Sequence, residues 1–112
     1  MTTSRGHDDL QRLLDLDDDL LLVQLADDVA AGVGPLDPDR KRRIAKAWLD
    51  AQEDRLRDAV CSDPRVSAAR ADGEALLIAA AIADLVAPLF GGPPAATVAV
   101  LLVRRGLDRL CG

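Results

Sequence analysis

The chain has 112 residues, a net charge of −5 and an apolar fraction of 49%. That size fits a single domain over residues 1–112, with apolar material enough for a core without metals or disulfides. The acidic balance argues against a nucleic-acid binder, whose surface is ordinarily basic. A single histidine, His7, leaves no Ser-His-Asp or Cys-His arrangement to build.

The composition favours helices. Leu, Ala, Val and Ile supply nearly all the apolar residues, Trp48 and Phe90 are the only aromatics, and Arg is frequent. Strands draw on aromatic and β-branched residues, whereas Ala, Leu and Arg are good helix formers. The expectation is an all-α fold, a compact bundle of about five helices.

Residues 1–7 carry no periodicity and are expected to be flexible. They also lack the basic-then-apolar pattern of a secretory leader. Leu10, Leu13 and Leu14 recur at helical spacing and predict a short helix over residues 8–16. They spell LxxLL, a helix-in-groove docking pattern, which core packing explains better. Asp17, Asp18 and Asp19 suit the positive end of a helix dipole. A second helix over 17–31 follows, with the stripe Leu22, Leu25, Ala26 and Val29. Whether 8–31 forms one bent helix or two is open at this level. Asp15, Asp17 and Asp19 alternate like calcium-loop ligands, but Leu20 and Ala26 stand where that loop needs Gly and Glu, so no metal site is expected.

Gly32, Gly34 and Pro35 stop the second helix, and Asp37-Pro38 opens a third, an Asp cap followed by Pro in the first turn. It is expected to run to Cys61, with Ile44, Trp48, Leu49, Leu56 and Val60 facing inward. Ser62-Asp63-Pro64 repeats the signal and starts a short helix ending near Ala71. Asp72-Gly73 makes a turn. A helix over 73–90, rich in Ala and Leu, is expected at the centre of the bundle with Trp48 against it. Its row Ala75, Ala79, Ala83 and Ala87 would let a neighbour approach closely. Gly91-Gly92-Pro93-Pro94 breaks the chain again, and a last helix over 94–110 follows.

From Ala75 to Val103 there is one charge, Asp84, in 29 residues. A spanning helix needs about 20 continuous apolar residues. The Gly-Gly-Pro-Pro break leaves a first piece of only 16, and a mid-membrane carboxylate would cost about 3 kcal/mol. A buried helical hairpin is therefore favoured over a membrane-associating one. Asp84 is expected at the bundle edge or paired with Arg104 or Arg105.

No nucleotide-binding or zinc motif is present, so no catalytic residue, cofactor, metal or small-molecule substrate is expected, and the chain is read as a non-enzyme. Cys61 and Cys111 are read as ordinary thiols in a reduced, cytoplasmic protein. The abundance of Ala, and of Arg over Lys, suggests a GC-rich bacterial coding sequence.

The charge layout carries the functional reading. Residues 1–37 hold two Arg against nine Asp, whereas Arg40, Lys41, Arg42, Arg43 and Lys46 crowd the start of the third helix. Cations there oppose the helix dipole and repel one another. A solvated face accounts for such a run without further purpose; the functional reading is contact with an acidic surface. The nearest is Asp17, Asp18, Asp19, Asp27 and Asp28, met within one chain or between copies head to tail. In size and charge layout, though in no motif, this is similar to small death-like adaptor domains. The leading expectation is a non-enzymatic protein–protein interaction module, an adaptor or regulator using these acidic and basic surfaces. A membrane-associating hairpin over 75–103 comes second and a DNA-binding regulator third.

Overall fold

Three aspartates set the framework. Asp17 accepts from the Leu20 N–H at 2.8 Å, Asp37 from the Arg40 N–H at 2.9 Å and Asp63 from the Arg65 N–H at 2.8 Å. Each satisfies an amide that a helix start would otherwise leave unbonded, and after two of them Pro occupies the first turn, where no donor is missed. The structure, a computed structural model, describes residues 9–30, 37–90 and 94–111. The expected flexible start at 1–7, the stop at Gly32, Gly34 and Pro35, and Gly91 to Pro93 lie outside the described residues.

Among the described residues the chain is all-α, with no strand. Eight helices follow in order: α1 (9–14), α2 (Asp18–Val29), α3 (Pro38–Ala51), α4 (Glu53–Val60), α5 (Pro64–Asp72), α6 (Ala75–Phe90), α7 (Pro94–Arg105) and α8 (Leu107–Cys111). The expected count of about five is too low because the chain bends where helical periodicity continues. Residues 8–31 divide at Asp17, which caps α2 while the Leu16 N–H closes α1 onto the Leu13 carbonyl at 3.1 Å. The helix expected over 38–61 divides at Gln52, whose N–H is shared between the carbonyls of Trp48 and Leu49. The helix expected over 94–110 divides at Gly106, whose N–H is shared between Leu102 and Val103. Gly106 has φ +89°, in the left-handed region that glycine enters without penalty. Gly73, at φ +80°, ends α5 in the same way.

The expected centre is also displaced. In the 16 residues of α6 only Ala79, Ile82 and Val86 are buried. In α7, Pro94, Ala95 and every residue from Thr97 to Leu102 are buried. The enclosed element is α7: α6 packs most extensively on it, α2 covers another side, and α8 folds back against its end. Leu21 and Leu25 of α2, Leu56 and Val60 of α4 and Ile82 and Val86 of α6 complete a continuous core around Val98 and Leu101. The β-branched residues of α7 are helical because burial on nearly all sides outweighs their weak preference for strand. Leu10 and Leu13 are core residues as well, so the LxxLL string serves packing.

Trp48 is half-buried and lies against Phe90, the last residue of α6, with ring centroids 4.9 Å apart, while the Arg55 guanidinium sits 5.8 Å from the Phe90 ring centre. Of the row Ala75, Ala79, Ala83 and Ala87, only Ala79 is fully buried; Ala83 and Ala87 are half-buried and Ala75, at the start of α6, is exposed, so close approach is confined to the middle and end of the helix. Pro88 removes the N–H that would bond the Asp84 carbonyl, and both residues are exposed. Among the described residues, no helix is long and apolar enough to cross a membrane.

Candidate interaction surfaces

The capped start of α2 and the basic start of α3 are brought together, because α2 packs along α3. Lys41 Nζ lies 2.7 Å from the Asp27 carboxylate, and Arg42 Nε lies 3.9 Å from Asp19 while its other end binds Asp39 one turn back. Asp18 is met from the opposite side by Arg104 of α7 at 3.5 Å. The same guanidinium donates to the carbonyls of Leu14 and Leu16, which end α1. Asp17 is exposed and occupied as a cap. Asp28 is half-buried, and loss of solvent, reinforced by the neighbouring Asp27 charge, raises its pKa above the ordinary carboxylate value. Asp63 is held below that value by hydrogen bonds from the side chain and backbone of Arg65.

Of the ten charged residues of the acidic and basic segments, Asp17 is a helix cap and Asp28 is half-buried without an ion-pair partner among the described residues, and the other eight fall into two groups. Asp18, Asp19, Asp27, Lys41 and Arg42 are staples within the chain, each ion pair worth about 0–1 kcal/mol at such exposure. Arg40, Arg43 and Lys46 are exposed and have no ion-pair partner among the described residues. The three are spaced i, i+3, i+6, so they share one side of α3. Asp84 is exposed and pairs with neither Arg104 nor Arg105 among the described residues.

Sequence reasoning missed a cleft of about 560 Å³ between α3, α4, α7 and α8, with Lys46 at its rim. Its floor is Leu49, Leu56, Leu102 and Leu110, and its charged wall includes Arg105 and Arg109. Neither arginine has an ion-pair partner among the described residues, whereas two of the three facing acids, Asp18 and Glu53, are engaged by Arg104 and Arg57. The free cations of α3 thus continue into a recess lined by three cations, Lys46, Arg105 and Arg109, and three acids, of which Asp50 alone has no ion-pair partner among the described residues. The signal in the sequence was weak, since Arg105 and Arg109 stand some sixty residues from Lys46 and only the folding-back of α8 joins them.

The reading of Cys61 and Cys111 as separate thiols is overturned. They form a disulfide with Cα atoms 5.4 Å apart, closing a separation of 50 residues. The end of α4 and the end of α8 meet at a distance ordinary for such a bond. Beside it, Arg57 Nε donates to the Leu110 carbonyl at 2.9 Å. With two cysteines one intramolecular pairing is possible, and the even count was the available signal.

No family model matches the chain, and no curated protein or solved structure is detectably similar to it.

Proposed function

We propose that the protein is a non-enzymatic interaction module, a small adaptor or regulator that receives an acidic segment of a partner protein. The reading is carried by one observation: Arg40, Arg43, Lys46, Arg105 and Arg109 lie along one exposed edge and its adjoining cleft with no ion-pair partner among the described residues. Cations placed this way contribute little to stability, those at the start of α3 oppose the helix dipole, and a carboxylate-rich strand would relieve their mutual repulsion while offsetting the cost of desolvating them. Complementary charge of this kind speeds association and selects the partner more than it tightens the complex.

The partner is a different protein rather than a second copy arranged head to tail. A second copy would offer Asp18, Asp19 and Asp27, and these already serve its own α3 and α7. Cytoplasmic placement belongs to the proposal, and there a disulfide is ordinarily transient and redox-responsive rather than structural.

The test is titration of the oxidised protein with fluorescein-labelled octaglutamate, read by anisotropy at low and high salt. Saturable binding that weakens with salt, and weakens about tenfold in an Arg43→Glu, Lys46→Glu double variant of unchanged helicity, is the expected result. Arg42 is left intact because its in-chain pairs would confound the variant. Absence of saturable binding, or equal binding by the variant, refutes the proposal. Stronger binding of a single-stranded oligonucleotide than of octaglutamate would replace it with the nucleic-acid reading.

A further inference from the structure

The cleft wall includes an element that is weakly held by its own packing. α8 contributes Arg109 and Leu110 to the cleft, yet it has five residues, far below the length at which a helix persists alone. It leaves α7 through Gly106, where φ is +89° and the residue has no side chain to restrict backbone rotation. Four things hold α8 down. Leu107 and Leu110 are buried. Arg57 donates to the Leu110 carbonyl. Arg70 of α5 pairs with Asp108 at 2.6 Å, an exposed contact worth about 0–1 kcal/mol. The fourth is the covalent bond from Cys111 to Cys61. Both cysteines are only partly buried, which leaves the bond within reach of a small thiolate.

We propose that Cys61–Cys111 is a redox latch on α8. Oxidised, it fixes α8 against α4 and completes the cleft. Reduced, it lets α8 swing out about Gly106, withdrawing Arg109 and Leu110 from the cleft and uncovering Leu56 beneath. The effect on binding rests on the function proposed above; the motion of α8 does not. The reductant is a dithiol. One of its thiolates attacks a sulfur of the pair and displaces the other as thiolate, and its second thiolate then resolves the mixed disulfide. The protein's pair gains two electrons and two protons, and the dithiol becomes a disulfide.

Hydrogen exchange on the full chain tests the latch in three states: oxidised, reduced with dithiothreitol, and Cys111→Ser. The amides of α8 are expected to exchange about tenfold faster or more in the last two states, while those of Val98 to Leu102 stay protected in all three. Octaglutamate affinity is expected to fall at least about threefold on reduction, the share of one withdrawn cation in a salt-dependent contact. Unchanged exchange in α8 overturns the latch. So does equal acceleration in α7, which would make the bond a staple of the whole fold. If octaglutamate fails to bind the oxidised protein, the proposed function falls, and exchange still decides the latch.

Discussion

Replacing Leu101 by Ala and, separately, Leu77 by Ala tests which apolar helix carries the fold. Both residues lie in the apolar third of the sequence, and periodicity alone ranks α6 above α7. In the structure Leu101 is 2% exposed and enclosed by neighbours of α7, whereas Leu77 is 38% exposed on the outer side of α6. Truncating an enclosed leucine removes its transfer free energy and leaves a cavity that neighbours fill only partly, a loss of about 3–5 kcal/mol. Truncating Leu77 opens no cavity, and Ala is the better helix former, so the change stays within about 0.5 kcal/mol. Against a total of about 5–15 kcal/mol, the first is a large share of the stability of the domain. Urea denaturation of the oxidised protein followed by circular dichroism reads the difference. With a slope of about 1.5 kcal/mol per molar, the Leu101→Ala midpoint falls by about 2–3 M and the Leu77→Ala midpoint barely moves. Comparable losses in the two variants, or a loss under about 1 kcal/mol for Leu101→Ala, would refute the placement of α7 at the centre.

Two further outcomes follow from the acidic segment. Burial and Asp27 raise the pKa of Asp28 in the fold, so its ionisation is less favourable there than in the unfolded chain. Its contribution is most favourable below the unfolded value near 3.8 and is lost as pH rises through the raised folded value. Asp28→Asn should therefore stabilise the protein at about pH 7 and give no such gain at about pH 3; equal effects at both, by urea titration, would contradict this. Asp17→Ala should cost about 1 kcal/mol by removing the cap of α2, and Asp17→Asn much less, because the amide oxygen still accepts the Leu20 N–H. Octaglutamate binding should be unchanged in both, since Asp17 serves the fold; an effect on binding without loss of stability would reverse that assignment.

Much of the local structure was legible because its causes are local. Asp17, Asp37 and Asp63 announce helix starts by side-chain chemistry, and Pro38 and Pro64 reinforce two of them. The extra breaks were not legible. Gln52 is an ordinary helical residue, and the bend there comes from a shared hydrogen bond that no propensity records. Gly106 gave a better signal, obscured by continued apolar spacing from Leu102 to Leu110. The exchange of roles between α6 and α7 was hidden because hydropathy measures what a helix can bury, whereas the number of neighbours decides what it does bury. Of the charged residues, spacing found the right clusters but could not separate those consumed within the chain, such as Lys41 and Arg42, from those left over, such as Arg43 and Lys46. The cleft and the disulfide depend on the return of α8 to α4, a contact across fifty residues.

Arg104 has an implication for the order of assembly. Its guanidinium binds the carbonyls of Leu14 and Leu16 and the carboxylate of Asp18, positions up to 90 residues earlier. A planar fork suits several acceptors at one corner, and a lysine would not replace it. During synthesis the corner between the first two helices must therefore wait, its carbonyls served by water, until Arg104 has left the ribosome. Contacts so distant along the chain slow the search for the native arrangement, so a corner made some ninety residues earlier is locked only after Arg104 arrives.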